Sequence, residues 1–315
     1  MSYLGNRRRK TPSPEIVKAY KELMMGFDPN DTAMRKLVAE TIVLDLKEEI
    51  MRDDVISLLG VDVRDFDLGQ TPQWRTRKGI KVFTSQPGAY APRSQMSQRV
   101  QTLTTERHHA HPEMEVTQLQ SGRYGDMQDL RDEALAQLRG QKYSKTWTTL
   151  VGSISSTDTT QYAAIGATPA AAAVKNSLDS GLDYVDDQQD NQPTAIVGRR
   201  NALVRLADYN AYDTAQGVGL SEDKKRELDN NLLLPTYRGI PVVYLKQYTD
   251  GYGINMITEN NIMIVGKNTL KLGVDLPLQF LETIDVDNTT WHLNIFESYG
   301  AAVFDSAKNW RTYLG

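Results

Sequence analysis

Cysteine is absent from this 315-residue chain. Its absence removes disulfide scaffolds, thiolate metal sites and cysteine nucleophiles together, and it fits a product of a reducing cytoplasm. Long apolar runs are also missing. The longest, such as Ile240 to Leu245 and Ala170 to Val174, are far too short to span a bilayer. The N-terminal Arg7, Arg8, Arg9 and Lys10 are followed by no apolar stretch of signal-peptide type, so a soluble, unsecreted chain is expected. Neither charge dominates. The 36 Lys and Arg against 40 Asp and Glu leave −4, which argues against a wholly basic nucleic-acid-binding surface. With 40% hydrophobic and 24% charged residues the composition is that of a globular protein. The length suits one large or two ordinary domains.

Catalytic signatures are scarce as well. Gly266-Lys267 is followed by Asn268 rather than Ser or Thr, so no phosphate-cradling loop exists. Gly217-Val218-Gly219 and Gly251-Tyr252-Gly253 lack the third glycine of a dinucleotide site. The one tempting cluster is His108, His109 and His111 with Glu113, since imidazole is the commonest metal ligand. Neighbouring side chains of an extended strand point to opposite faces, and Pro112 interrupts the run. A polar turn within a β-ribbon is the plainer reading, with a metal-dependent hydrolase built on His108 to Glu113 as the remote one. Asp62, Asp65 and Asp67 read as a solvated turn, because the spacing of a calcium loop is missing.

The residues present divide the chain into unlike parts. The first thirty combine the basic cluster with Thr11-Pro12-Ser13-Pro14 and Asp28-Pro29, an extended arm that frays unless a partner chain holds it. Arg7 to Lys10 suit phosphate contact, an acidic patch on a neighbour, or plain solvation. Asp31 to about Leu59 reads as a helix with Met34, Leu37, Val38, Thr41 and Ile42 on one face and Gly60 as stop. From Leu68 to Gly125 helical periodicity vanishes. Here Arg75, Arg77, Lys78, Lys81, Arg93, Arg99, Arg107 and Arg123 meet only Glu106, Glu113 and Glu115, a balance of +5 that leaves −9 for the rest. So polar a stretch cannot build a core of its own and, if ordered, needs another subunit to lie on.

Asp126, as a cap, opens the clearest helix, with Met127, Leu130, Ala134 and Leu138 on one face. Carried to Val151 it spans about 39 Å, and Gly140 is a candidate kink. Thr168-Pro169 opens an alanine-rich helix that Gly181 is expected to stop. Pro193 to Gly198 reads as a buried strand, Arg199 to Tyr209 as a helix with Leu203 and Leu206 inward, and Ile240 to Leu245 and Ile262 to Val265 as further strands. From Leu276 the pattern is strand-like through Phe304.

This order resembles the major capsid protein of tailed bacteriophages, the Hong Kong 97 fold family. The polar ribbon around Ile80 to Leu119 looks like that family's E-loop, and Asp126 to Val151 like its spine helix. Pro193 to Arg205, PTAIVGRRNALVR, resembles a strand-then-helix of its A-domain, and Gly239-Ile240-Pro241-Val242-Val243 a recurring strand near that domain's end. The resemblance implies an α+β fold with N-arm, E-loop β-ribbon, P-domain with a long spine helix and long antiparallel strands, and an α/β A-domain. The implied boundaries are 1–67 for the N-arm and N-terminal helix, 68–125 for the E-loop, 126–160 for the spine-helix part of the P-domain, 161–273 for the A-domain, 274–300 for the P-domain strands and 301–315 for the return to the A-domain.

The resemblance also implies a non-enzymatic homo-oligomer. Pentamers and hexamers would form an icosahedral shell around double-stranded DNA, assembled in the host bacterial cytoplasm and located in the virion. No cofactor, metal or membrane is implied. Implied inter-subunit contacts are Arg75, Arg77, Lys78, Lys81, Arg93, Arg99 and Arg107 of the E-loop, with Arg7 to Lys10 facing DNA or a neighbour. Portal, non-specifically held DNA and an optional decoration protein are implied partners. A separate scaffolding protein is expected, since nothing precedes the arm. Some relatives join an E-loop Lys to a neighbour's Asn; no Lys lies between Lys81 and Lys142, so no covalent crosslink is expected. An encapsulin-type nanocompartment shell is the alternative, disfavoured by the basic arm, which suits a DNA-filled interior.

Overall fold

The computed structural model describes residues 31–51, 59–67, 70–78, 97–115, 124–166, 171–188, 191–204, 236–249, 253–257, 260–285 and 290–315. The expectations for Arg7 to Lys10, Lys81, Arg93, Arg123, Thr168-Pro169 and Leu206 lie outside these residues. In chain order the elements are α1 (Thr32–Met51), β1 (Asp62–Asp65), β2 (Gln73–Lys78), β3 (Ser97–Thr102), β4 (Glu106–Ala110), β5 (Glu113–Glu115), α2 (Tyr124–Gly152), β6 (Tyr162–Ile165), α3 (Ala171–Asp186), β7 (Pro193–Arg199), the single turn α4 (Arg200–Leu203), β8 (Thr236–Tyr237), β9 (Ile240–Leu245), β10 (Asn261–Gly266), β11 (Leu270–Asp285), β12 (Thr290–Val303) and β13 (Trp310–Leu314).

Continuous apolar runs mark strands covered on both faces. Such strands, β7, β9 and β10, lie in the middle of a six-stranded sheet of order β6-β13-β10-β7-β9-β8. Alternation splits each run between two cores. Ile196, Val242, Ile262 and Ile264 face α3, where Val174, Leu178, Leu182 and Val185 wait. Ala195, Val197, Val243, Met263 and Val265 face the second half of α2, with Tyr143, Trp147 and Leu150.

The second sheet follows the other rule for strands. Strands β11 and β12 pair antiparallel from Leu270↔Val303 to Asp285↔Thr290. β1 adds to β11 in parallel, and β4 and β5 add to β12. Register slips at Val274/Leu276 and Leu276/Gln279, next to Pro277, which has no N–H to offer the ladder. One face carries Trp291, Leu293 and Ile295 against α1 and the first half of α2. The opposite face stays open at Leu281, 58% exposed.

Several expectations need correcting. α2 starts at Tyr124, so Asp126 sits inside it, and it passes Gly140 unbroken. α3 runs through Gly181 to Asp186. Both glycines make room for a ring. A Cβ on Gly140 would stand 2.6 Å from Tyr248, and one on Gly181 2.5 Å from Trp310. On α1 the buried stripe is Val38, Ala39 and Ile42, while Leu37 is exposed. Asp62 belongs to β1 rather than a solvated turn, and its carboxylate accepts a hydrogen bond from Lys271 Nζ at 2.8 Å. Among the described residues the ribbon is β2 and β3, because β4 and β5, with the histidines, belong to the long-strand sheet. Strands β6 and β13 were not anticipated.

Candidate inter-subunit surface

The ribbon β2–β3 has one buried residue among its inward candidates, Trp74, 3% exposed. Its ring packs edge-on to Phe66 and Phe304 at centroid distances of 5.2 and 5.5 Å. Arg64 lies over it at 5.5 Å, and its Nε1 donates to Asp62 Oδ2 at 3.3 Å. Burial pushes the Asp62 carboxyl up. Hydrogen bonds from Lys271, Arg64 and Trp74 outweigh that and hold it below its ordinary value. Trp74 therefore pins the ribbon's base to the body.

Beyond that anchor the ribbon is polar. The register pairs Arg75 with Val100, Thr76 with Arg99, Arg77 with Gln98 and Lys78 with Ser97. By sequence the two strands carry Arg75, Arg77, Lys78 and Arg99 and no acidic residue. Arg75 is exposed, as is Val100 at 47%. Arg107 is not on the ribbon. It sits on β4 with its guanidinium 5.6 Å from the Phe296 ring of its own sheet.

The histidines do not converge. His108 faces α2, stacked on Tyr299 at 4.3 Å. His109 faces the other way, beside Phe296 at 6.1 Å and stacked on His111 at 5.7 Å. Glu113 meets His292 Nδ1 at 3.2 Å. Among the described residues no three His, Asp or Glu are placed to hold a metal ion.

His108 belongs to a buried polar cluster that sequence reading missed. Lys142 of α2 and Glu297 of β12 are 8% and 4% exposed, with Nζ and Oε2 3.4 Å apart. Lys142 Nζ also stands 5.2 Å from the Tyr299 ring centroid. Lys145 pairs with Glu106 beside them. His108 Nε2, Glu297 Oε1 and Tyr299 OH have no hydrogen-bond partner among the described residues. Burial pushes Glu297 and Tyr299 up, and Lys142 pulls Glu297 part of the way back. Burial pushes the His108 imidazole down; Lys145 and Lys142 add to that, and Glu106 opposes it. The available signal was a Lys and a Glu inside otherwise buried patterns.

A glycine pair was missed too. Gly273 of β11 and Gly300 of β12 are directly opposite each other. A Cβ on Gly273 would stand 2.9 Å from Pro72 Cβ and 3.1 Å from the tip of the Trp74 ring, and one on Gly300 would collide with Leu103 and the Thr104 carbonyl. Glycine within a strand pattern signals such close approach of another segment.

This mixed helix-and-strand fold is similar to that of solved phage capsid structures. A structure from Gordonia phage Cozz matches with TM-score 0.59 and 14% identity, over 83% of this chain and 86% of that one. The capsid structure of cyanophage P-SCSP1u matches with TM-score 0.55 and 11% identity, over 80% and 86%. A virus-like particle from Pyrococcus furiosus matches with TM-score 0.51 and 12% identity, over 86% and 96%. No family model matches the chain, and no curated protein matches its sequence. Among the described residues no helix is long and apolar enough to cross a membrane.

Proposed function

We propose that this chain is the major capsid protein of a tailed phage. It self-assembles as pentamers and hexamers into the icosahedral shell of a virion, around double-stranded DNA. The observation that carries this reading is the ribbon. Among the described residues it is buried only at its base, at Trp74 and the adjoining Leu103, and its strands are basic, on a body whose fold matches phage capsid structures across most of its length. A strand pair without a core gains its stability from a surface outside itself. In this reading the spine helix is α2, the E-loop is the ribbon, the A-domain is built around the six-stranded sheet and the P-domain around the long strands. Arg75, Arg77, Lys78 and Arg99, with Lys81 and Arg93 farther along, meet the acidic remainder of neighbouring copies. Arg7 to Lys10 face DNA or a neighbour. A separate scaffolding protein, a portal and an optional decoration protein belong to the same reading.

Purified full-length chain, imaged by negative stain alone and with the proteins encoded beside it, is expected to form closed shells of uniform diameter. A monodisperse monomer under every assembly condition would sink the proposal. Mature particles are expected to run as a single monomer band on denaturing gels, because the ribbon lacks Lys between Lys81 and Lys142. A nanocompartment shell is the second reading, favoured by the match to the Pyrococcus furiosus particle. Double-stranded DNA extracted from purified particles separates the two.

A further inference from the structure

We infer that the Gly273–Gly300 pair is the positioning element that sets the angle at which the ribbon leaves the body. Both ends of the ribbon return to this one spot. Pro72 and Trp74 at the start of β2 lie over Gly273, and Leu103 and Thr104 after the end of β3 lie over Gly300. The two glycines are cross-strand partners, so their missing side chains leave one shared notch on one face of the sheet. Trp291, Leu293 and Ile295 of β12 point to the helix-covered face, so the even-numbered Gly300 opens on the opposite face.

The notch is closed by further contacts. Leu103 N donates to the Pro72 carbonyl at 3.0 Å, tying the two ribbon legs together above it. Phe66 N donates to the Val274 carbonyl at 2.7 Å, one residue past Gly273. Thr105 Oγ1 donates to Asp275 Oδ2 at 2.9 Å on the far side. Leu103 and Trp74 are each only 3% exposed. The ribbon legs are thus seated on backbone. At Gly300 the obstacle to an added methyl includes the Thr104 carbonyl, which cannot change rotamer, and at Gly273 it is the Pro72 ring and the packed Trp74 ring, so either methyl displaces a ribbon leg.

Rigid seating matters because the holds described for the ribbon on its own subunit, the Trp74 contacts and the two legs at the notch, all lie at its base. Its direction is fixed at the base and amplified along its length. If the ribbon reaches a neighbour, as the shell reading holds, a tilt at the notch displaces every contact farther out. The inference rests on that reading for its effect on assembly, whereas the effect on ribbon angle stands without it.

The absence of cysteine makes the test direct. Spin labels at Arg75→Cys on the ribbon and Thr148→Cys on α2 report one distance in full-length chain, diluted with unlabelled protein so that only intrachain pairs are read. Gly273→Ala and Gly300→Ala are expected to keep circular dichroism and a single thermal transition while shifting or broadening that distance. Gly300→Ala has the larger effect because a carbonyl stands in its way. Shell yield is expected to fall in the same order, by tenfold or more for Gly300→Ala. An unchanged distance in both variants would overturn the inference. So would loss of folding in Gly273→Ala, since the glycine would then serve the sheet and not the ribbon. A shifted distance in variants of a chain whose parent forms no shells would keep the notch and sink the shell reading instead.

Discussion

The two sheets of this molecule differ in how many of their faces are covered. The six-stranded sheet has α3 on one side and α2 on the other, and Ile196, Val197, Ile262, Met263, Ile264 and Val265 are all fully buried. Among the described residues the long-strand sheet has helices on one side only, and its other side carries the ribbon base and the exposed Leu281. A two-sided sheet completes its core within one chain. In the proposed shell, a sheet of sixteen- and fourteen-residue strands with an exposed apolar residue on its less covered side is the part left for a neighbouring copy. Stability and assembly are therefore written in different places.

Substitutions can break or sharpen that contrast. The largest loss of stability is expected on the helix-covered side of the long-strand sheet. Lys142→Met leaves the Glu297 carboxylate buried without its cation and should cost about 3–5 kcal/mol in chemical denaturation. The double variant Lys142→Met, Glu297→Leu should recover most of it. Next comes Leu178→Ala in the two-sided sheet, expected to cost about 2–5 kcal/mol for a fully buried leucine. A loss below 1 kcal/mol there would mean that this core does not carry the fold.

A smaller effect depends on pH. His108 is held below its ordinary value of 6.5, so the unfolded chain takes up a proton there before the folded chain does. The stability tied to His108 is present above about pH 6.5 and is lost as pH falls through that value toward the folded pKa. Glu297, held above its ordinary value, works the other way, so the wild-type slope alone is ambiguous. The difference in melting temperature between His108→Phe and wild type isolates the histidine: the variant should gain ground as pH falls from 7.5 to 5.5. A constant difference would contradict the burial argument. The smallest effect on folding is expected from Leu281→Ser and from Arg75→Glu, within about 0.5 kcal/mol for exposed positions. These same variants are expected to abolish shells in negative stain. If they unfold the subunit as readily as Leu178→Ala does, the division between folding and assembly surfaces fails.

Much of the two-sided sheet was legible in the sequence. Unbroken runs such as Ile262 to Val265 have no other comfortable place than a strand covered twice. The strands that escaped reading are the ones whose apolar character is diluted. β1 is Asp-Val-Arg-Asp, and β13 is Trp-Arg-Thr-Tyr-Leu, stabilised by pairing with β10 and β6 more than by its own pattern. Gly140 and Gly181 were misread because helix propensity counts a glycine as a cost. Packing overrides that where Tyr248 and Trp310 need the space. The candidate surface was legible as charge: the +5 stretch identified the ribbon. Its true limits were not, since Glu106 to Glu115 is as polar as the ribbon yet pairs with β12. Nothing in the sequence alone could tell that Gly273 and Gly300 meet.

Helix α2 supplies Ala134, Leu135 and Leu138 to one core and Tyr143, Trp147 and Leu150 to the other. At 29 residues it is a rod about 43 Å long. Neither sheet can melt by itself without stripping half of that rod, so the subunit should absorb heat in one peak despite its two sheets. The rod is also a lever: tilting one end by about 5° carries the other by about 4 Å at this length. Pressure on one sheet is thereby delivered to the other as displacement, and a shell built from such subunits would strain as a linked framework in which no tile yields alone.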